Sequence, residues 1–180
     1  MPLDIAFIAS DWSTLSCLHS PMSDLDSSPP TAAIATLESL LSGPAPDRAT
    51  LQAAIAQLER QRQRGTATDL AGCWLLIWTS GNGRFPARVV QCFTPETGHF
   101  ENRLETPLGW LSVRSQATYT PQQRLEFVAK QARVELGALR FGLPLGSWAK
   151  GWLQTTYLDR EWHLERGDRG GLALYHRLSN

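Results

Sequence analysis

The C-terminal segment 151–180 restricts the fold more than any other part of this sequence. It holds three short runs rich in aromatic and β-branched residues, and turns that carry Asp and Gly separate the runs. This pattern predicts a β-meander with strands at 152–158, 162–166 and 172–178. Because unpaired strand edges promote aggregation, we expect the meander to pair with further strands or to be covered.

Further extended segments are predicted upstream, which gives the chain about eight strands. They lie at 73–79, 88–93, 99–105, 108–119 and 124–136. Within the last of these, the inward positions slip in phase between Ala129 and Ala132, and this slip predicts a β-bulge near Lys130. Short strands at such close spacing indicate a mainly β protein, either an antiparallel sandwich or a barrel.

The N-terminal part has a different period, and we predict two helices within 31–65. Thr31 is expected to cap the first helix and Asp47 the second. Their apolar positions are Ile34, Leu37, Leu40 and Leu41 in the first helix and Leu51, Ile55 and Leu58 in the second. These apolar stripes are narrow, so both helices should pack against the strands. Residues 1–30 are predicted to be a flexible acidic leader, followed by one domain at 31–180 whose strands occupy 70–178.

The formal net charge is zero, but the charge is unevenly distributed. Residues 1–47 carry a net charge of −6 and the remainder carries +6. A weakly basic body favours an anionic membrane surface, and the alternative is a solvated surface of mixed charge. No apolar run approaches the roughly 18 residues that span a bilayer, and the N-terminal segment lacks the basic region of a secretory or transit peptide. We therefore expect a cytoplasmic protein.

Residue types that carry catalysis or bind metals are present, but not at the spacings that this chemistry needs. Cys17, Cys73 and Cys92 lack a C-x-x-C spacing, so we predict reduced thiols, with neither a disulfide framework nor a zinc site. The four histidines are scattered, and the Gly-Asn-Gly run at 81–83 is not followed by the lysine of a phosphate loop. The sequence thus indicates a protein that is not an enzyme and holds no metal or cofactor.

Two separated blocks of sequence carry a family resemblance. The first is Leu-Glu at 58–59 followed by Leu-Ala-Gly-Cys-Trp-Leu-Leu-Ile-Trp-Thr-Ser at 70–80. The second combines Thr-Tyr-Leu-Asp at 156–159 with Leu-Glu-Arg-Gly-Asp-Arg-Gly at 164–170. In this order, the blocks resemble the plastid lipid-associated protein (PAP)/fibrillin family of plants and cyanobacteria. The resemblance covers about residues 31–178.

Single positions within this span both follow and depart from the family pattern. Gln91 and Asn102 stand where the family tends to have Gln and Asn, whereas Trp78 replaces a usual Tyr and His163 a common Arg. The motif positions to which the resemblance gives a structural role are Gly72, Asp159, Arg166, Gly167 and Asp168. From the residues themselves, we expect an ion pair between Asp159 and Arg166 across the last hairpins, and a turn at 167–168.

The resemblance implies a lipocalin-like antiparallel β-barrel with two N-terminal α-helices. Family members bind or carry small hydrophobic molecules such as prenyl lipids, and some assist isoprenoid-quinone synthesis or photoprotection. The implied function of a cyanobacterial-type member is non-catalytic binding of a lipid, isoprenoid, quinone or carotenoid, peripheral to the thylakoid membrane or to lipid droplets such as plastoglobules. The implied partners are this hydrophobic ligand, the membrane surface and a prenyl-lipid biosynthetic enzyme, with no nucleic acid.

An eight-stranded barrel is either filled by its own side chains or holds one small ligand. The side chains predicted to line such a ligand site are Trp74, Leu76, Trp78, Trp110, Phe127 and Trp152. Small residues on the longest strands favour free volume, namely Ser115, Ala117, Ala129 and Ala132. A filled barrel would instead indicate a protein that docks on a membrane or an enzyme. A third interpretation is a bilin lyase of lipocalin shape, in which Arg114 or Arg133 holds the tetrapyrrole propionates.

Overall fold

The computed structural model describes residues 30–61, 63, 65–81, 87–146, 149–168 and 170–179. The helices are α1 (Pro30–Ser42), α2 (Arg48–Gln61) and α3 (Ala67–Leu70). The strands are β1 (Gly72–Thr79), β2 (Arg88–Thr94), β3 (His99–Thr106), β4 (Gly109–Tyr119), β5 (Arg124–Leu136), β6 (Leu139–Pro144), β7 (Lys150–Leu158), β8 (Trp162–Gly167) and β9 (Leu172–Arg177). Within these ranges, no helix is long and apolar enough to cross a membrane. The leader predicted at 1–30 lies outside the described residues, apart from Pro30.

Eight of the strands close into an antiparallel barrel. Their order around the barrel is β1, β2, β3, β4, β5, β7, β8 and β9, and the pairing of β9 with β1 completes the circle. The structure confirms the predicted mainly β fold and, of the two architectures that the strand pattern left open, it selects the barrel. Closure pairs both edges of the C-terminal meander, which would otherwise expose backbone donors and acceptors.

The ninth strand, β6, is not among the predicted strands. It pairs with the second half of β5, from Gln131 opposite Pro144 to Leu136 opposite Leu139, while the first half of β5 pairs with β7. Every residue of β6 is exposed, so its sequence lacks the alternation that half-burial imposes on a strand. The second half of β5 and β6 therefore form a hairpin that extends beyond the closed part of the barrel.

The long strand β5 carries the bulge that the sequence predicts. Arg114 of β4 lies opposite Gln131, but the next residue, Ser115, lies opposite Ala129. Lys130 is left without a partner between them, which confirms the predicted bulge. A bulge adds one residue to one strand. The inward positions of β5 therefore change from Leu125, Phe127 and Ala129 before the bulge to Ala132 and Val134 after it.

Two further register shifts change the face to which large side chains point. One follows Leu76 in β1, so that the next paired residue, Trp78, lies on the outer face. The other falls in β7 between Thr155 and Tyr157. Tyr157 consequently packs outside the barrel and Leu158 inside it. Neither shift leaves a signal in the hydrophobic pattern, because apolar residues occupy both faces there.

Two apolar cores result, one inside the barrel and one between the barrel and the helices. The interior core contains Leu70, Trp74, Phe93, Phe100, Ala117, Leu125, Leu158 and Tyr175. The second core joins α1 and α2 to Trp78, Tyr157, Trp162, Leu164, Leu172 and Leu174 on the outer face. Leu37 and Leu58 are fully buried there, and each contributes about 2 kcal/mol by leaving water. Leu41 is 43% exposed, so its predicted place in the apolar stripe is wrong.

The two predicted helix caps have different outcomes. The Asp47 carboxylate accepts hydrogen bonds from the Thr50 backbone N–H at 2.9 Å and from its hydroxyl at 2.6 Å, which confirms the cap of α2. The cap predicted at Thr31 is wrong, because α1 already begins at Pro30. Proline suits the first position of a helix, where its missing N–H costs nothing.

Cys73 and Cys92 form a disulfide, so the prediction of reduced thiols is wrong for this pair. The two residues lie directly opposite each other on β1 and β2. Their neighbours Trp74 and Phe93 pack inside the barrel, so alternation places the disulfide on its outer face. The sequence contains no sign of this pairing, since it depends on the register of the two strands. Cys17 lies outside the described residues.

Candidate functional site

One end of the barrel, called here the α3 end, is closed by helix α3. Leu70 of this helix is buried against Phe93 and Phe100 in the interior core. Arg177, at the end of β9, donates a hydrogen bond to the Ala71 carbonyl at 2.7 Å, and its guanidinium lies 4.0 Å from the Trp74 ring centroid. These contacts hold α3 across the barrel and exclude water from that end.

At the opposite end, called here the hairpin end, interior side chains keep contact with solvent. Leu76, Phe127, Leu153 and Ala173 pack against the interior core, yet all four are only half-buried. Helix α3 therefore covers one end of the interior, while these four side chains remain partly exposed toward the end at which the β5–β6 hairpin extends.

The wall formed by β4 and β5 is built from small residues. Ser115, Ala117, Ala129 and Ala132 are each at most 5% exposed. They occupy inward positions, where Ser115 and Ala129 lie directly opposite each other. Short side chains there take up less of the barrel interior than the leucines and valines common at such positions.

A buried carboxyl group lies in the middle of the interior. Glu165 of β8 is 3% exposed. Its Oε2 accepts a hydrogen bond from the Gln91 side chain of β2 at 3.1 Å, and its Oε1 accepts one from the Tyr175 hydroxyl of β9 at 2.9 Å. Burial raises the pKa of Glu165 to about 7, although both hydrogen bonds favour the ionised form.

A buried imidazole lies beside this carboxyl. His163 is 1% exposed, and its Nε2 lies 3.3 Å from the Thr155 hydroxyl and 3.9 Å from Glu165 Oε2. Its ring is tilted against Trp74 and stacked on Tyr175, with centroids 5.4 and 5.7 Å apart. Burial, with a contribution from the charge of Arg177, lowers the pKa of His163 to about 3, so the ring is neutral near pH 7. We call Gln91, Thr155, His163, Glu165 and Tyr175 the polar cluster.

Two polar atoms beside the cluster lack hydrogen-bond partners among the described residues. One is Nδ1 of His163 and the other is the Tyr119 hydroxyl, both of which are buried. The Tyr119 hydroxyl lies beside Thr155, and burial raises its pKa. An unpaired buried polar group costs about 1–3 kcal/mol, so these atoms favour an additional partner within the barrel.

The structure brings three of the six predicted lining residues into the interior. Trp74, Leu76 and Phe127 belong to the interior core or pack against it. The other three, Trp78, Trp110 and Trp152, do not point into the barrel, so their predicted place in its lining is corrected. Trp78 faces the helices, whereas the guanidinium groups of Arg103 and Arg124 cover Trp110 and Trp152, at 5.6 and 4.2 Å from the ring centroids.

Sequence reasoning missed the polar cluster as a site. His163 and Glu165 alternate with Trp162 and Leu164 along β8, so the two pairs must point to opposite faces. An apolar–polar alternation usually places the apolar residues inside. Here Trp162 and Leu164 pack under the helices and the polar pair faces the interior, because both faces of β8 are covered. Tertiary contacts, which the alternation does not encode, decide between the two arrangements.

The Asp159 and Arg166 side chains make separate contacts, so the predicted ion pair between them is wrong. Asp159 accepts hydrogen bonds from the backbone N–H groups of Glu161 and Trp162, at 2.8 and 2.6 Å, and so shapes the β7–β8 turn. Arg166, at the other end of β8, binds Glu59 of α2 with two hydrogen bonds of 2.7 and 2.9 Å. This contact attaches a helix to the barrel.

The glycines of the family motifs lie at the ends of strands. Gly72 begins β1 with φ of +103°, a conformation that favours glycine. The N–H of Gly167 donates to the Gly171 carbonyl at 2.9 Å, and that of Gly170 donates to the Gly167 carbonyl at 2.9 Å. Asp168 lies within this turn. The positive φ of the turn, +82°, belongs to Gly170 rather than to Gly167.

Charged side chains on β3–β5 point away from the interior. Arg114 lies 3.4 Å from the Glu101 carboxylate, which faces outward next to the disulfide strand β2. Arg133 lies on the same outer face, opposite Ser112 of β4. The described residues contain no group of three side chains arranged to hold a metal ion.

Comparison of this chain with protein-family models, with curated proteins and with solved structures finds no match. The resemblance to the PAP/fibrillin family therefore remains a prediction from the motif residues.

Proposed function

We propose that the barrel binds a small, largely apolar molecule and that it does so without chemical change. One observation carries this proposal: the inward face of the second half of β5, which is apolar, continues onto the exposed strand β6 of the hairpin. Burial of apolar ligand surface supplies about 25 cal/mol per Å², so such binding needs no catalytic group. The ligand class suggested by the family resemblance is a lipid, isoprenoid, quinone or carotenoid.

The register of the hairpin supports this continuity. Directly opposed pairs join Ala132 to Leu143, Val134 to Phe141 and Leu136 to Leu139. These six residues share one face, here called the apolar hairpin face, and the same face of β5 lies opposite the inward residues Leu111 and Val113 of β4. Leu136, Leu139, Phe141 and Leu143 are each between 47% and 59% exposed. A ligand that enters from the hairpin end would meet apolar side chains throughout its path.

The charge of this part of the molecule supports contact with a membrane. Residues 102–150 contain seven basic and three acidic side chains, a net charge of +4. An exposed apolar face within a part of the chain that carries a net positive charge suits an anionic lipid surface, in which an apolar ligand is also dissolved. We therefore propose that the hairpin end touches a membrane peripherally, and the family resemblance suggests the thylakoid membrane or lipid droplets.

Ligand binding is tested directly on the purified full chain. We expect native mass spectrometry to detect an apolar molecule carried through purification, and added quinones to quench tryptophan fluorescence through Trp74. The variant Ala129→Phe should weaken binding by about tenfold or more, because it fills the wall of small residues. An exposed control, Thr118→Phe on the other face of β4, should bind as the original protein does. A protein that carries no ligand and binds neither quinones nor carotenoids would contradict the proposal.

A second candidate function is a docking protein whose barrel holds no ligand, and the exposed apolar hairpin face is the observation that favours it. This protein would bind vesicles or a prenyl-lipid enzyme while native mass spectrometry finds the barrel empty. The bilin-lyase interpretation is not retained, because Arg114 and Arg133 lie on the outer face and supply no cation to the interior.

A further inference from the structure

We infer that the polar cluster is a head-group site which selects apolar ligands bearing a neutral hydroxyl over ligands bearing a carboxylate. This inference rests on the proposed function and deepens it, since it assigns the chemical class of the group that the ligand carries into the barrel.

The polar cluster lies inside the barrel, between the half-buried apolar side chains at the hairpin end and the core that α3 covers. Gln91 and Glu165 come from β2 and β8, with β1 and β9 between them, so their hydrogen bond crosses the barrel. The half-buried apolar side chains lie toward the hairpin end, whereas the core sealed by α3 lies on the other side. A ligand that enters with its polar end first would therefore bring this end to the cluster and leave its apolar part among Leu76, Phe127 and Leu153.

The charges that face Glu165 disfavour a second anion. The titratable groups packed against it are His163 on its own strand and Tyr175 on β9, while β7 and β2 contribute the uncharged Thr155 and Gln91. His163 is neutral because burial lowers its pKa to about 3. None of these groups is a cation, because Arg177, whose charge acts on His163, lies over the Trp74 ring at the α3 end. A carboxylate ligand would therefore meet an ionisable carboxyl with no cation packed beside it, and one of the two acids would have to remain protonated.

The unpaired atoms show which hydrogen bonds are available. Nε2 of His163 faces two oxygen atoms, those of Thr155 and Glu165, so this nitrogen suits the donor N–H of the neutral ring. Nδ1 is then an acceptor without a donor, while the Tyr119 hydroxyl is a donor without an acceptor. The Tyr119 hydroxyl lies beside Thr155, whereas the His163 atom that faces Thr155 is Nε2, so Nδ1 lies on another side of the imidazole ring.

A ligand hydroxyl can pair with either atom, because it donates one hydrogen bond and accepts others. A carboxylate only accepts, so it would leave Nδ1 unpaired in addition to its unfavourable charge. A quinone carbonyl is neutral and can only accept a hydrogen bond, so it could pair with the Tyr119 hydroxyl but not with Nδ1 of His163. The cluster therefore ranks a neutral hydroxyl first, a neutral carbonyl second and a carboxylate last.

The test compares palmityl alcohol with palmitic acid, which share one apolar chain and differ in the head group. Each is titrated against the full-length protein by displacement of a bound fluorescent apolar probe. At about pH 8, where both acids are ionised, we expect the alcohol to bind about tenfold tighter or more. The difference should shrink as the pH falls through the pKa of Glu165, because protonation of either carboxyl removes the repulsion.

Two variants separate charge from hydrogen bonding. Glu165→Gln keeps the shape and removes the charge, so at about pH 8 the ratio of the affinity for the alcohol to that for palmitic acid should fall about tenfold. The control Glu126→Gln removes an exposed carboxylate from β5 and should change neither affinity. Tyr119→Phe removes one hydroxyl and keeps the aromatic ring, so it should fold normally. It should weaken the alcohol about threefold or more and leave hexadecane unaffected.

The outcomes distinguish the inference from the function on which it rests. If no apolar probe binds the protein, the proposed function fails and the head-group site fails with it. If alcohol and acid bind equally well at about pH 8, and neither Glu165→Gln nor Tyr119→Phe alters the ratio, the barrel binds ligands but the polar cluster does not select them. If Glu165→Gln does not fold, the pH dependence of the unaltered protein and the Tyr119→Phe result decide the question.

Discussion

At the level of single residues, Glu165 and His163 couple the stability of the barrel to pH in opposite directions. Burial raises the pKa of Glu165 from 4.5 to about 7, so the folded chain retains a proton that the unfolded chain loses, and stability falls as the pH rises through this range. Burial lowers the pKa of His163 from 6.5 to about 3, so the unfolded chain binds the extra proton and stability rises with pH. Between pH 4.5 and 6.5 the two contributions oppose each other.

The variant Glu165→Gln should reveal the contribution of His163. Relative to the original protein, its free energy of unfolding should increase with pH between 4.5 and 6.5, by at most about 1.4 kcal/mol per pH unit. Urea denaturation at a series of pH values measures this slope, with the exposed Glu126→Gln as the control. Parallel curves for Glu165→Gln and the original protein would show that Glu165 does not hold its proton in the fold.

The sequence reveals less about single residues than about strands. Its alternation correctly predicts that β8 is a strand, but alternation alone does not say which face is the interior. Trp162 and Leu164 lie outward because helices cover them there, and this leaves His163 and Glu165 inside. Trp78 faces outward for a related reason, since the register shift after Leu76 moves it to the helix side.

At the level of secondary-structure elements, the β5–β6 hairpin is the feature with the clearest experimental consequence. The double variant Leu139→Ser, Phe141→Ser should reduce binding to vesicles that contain anionic lipid by about tenfold or more, because each apolar side chain contributes about 1.5–3 kcal/mol on leaving water. Cosedimentation measures the loss. Thermal stability should change little, since both residues are exposed.

The control for this experiment lies on the other face of the same hairpin. Glu135 points away from the apolar hairpin face and pairs with Arg140 at 3.0 Å. Glu135→Gln should therefore retain vesicle binding. Equal losses in the control and the double variant would assign the effect to the shape of the hairpin, and retained binding in both would refute its contact with the membrane.

Elements differ in how far the sequence predicts them. The helix α2 and the bulge at Lys130 follow from local signals, a capping Asp47 and a slip in the inward phase, and both are present. Strand β6 has no such signal, because none of its residues is buried and it ends in Pro144. The position of β6 is determined by its hydrogen bonds to the second half of β5, and not by an alternation of apolar and polar residues in its own sequence.

At the level of the whole molecule, the need for paired strand edges follows from the sequence, because it predicts many short strands and a C-terminal meander. The choice of a barrel over a sandwich does not follow from it. The strand register does not follow from it, and the register determines the disulfide between Cys73 and Cys92. The same register places Gln91 within reach of Glu165 across the interior. The alternation of apolar and polar residues along the sequence therefore does not predict which distant residues come into contact.

The disulfide should contribute to the stability of the entire barrel. It closes a loop with a sequence separation of 19, and a loop of this size is worth about 3 kcal/mol in the chain-entropy description. Reduction, or the double variant Cys73→Ala, Cys92→Ala, should lower the free energy of unfolding by about this amount in urea titrations. The double variant should not respond to reductant. A reductant effect that persists in the variant would contradict this origin.

The hydrogen bond between Gln91 and Glu165 crosses the interior of the barrel and joins β2 to β8, which are not neighbours in the sheet. If the proposed ligand binds, this hydrogen bond limits how far the polar end of the ligand can enter the barrel, but it sets no limit on the length of the apolar tail. In a series of ligands with lengthening tails, affinity should grow until the tail reaches the hairpin end. Beyond that length, the surplus carbons lie on the hairpin or in the membrane, and the barrel no longer distinguishes one ligand of the series from the next.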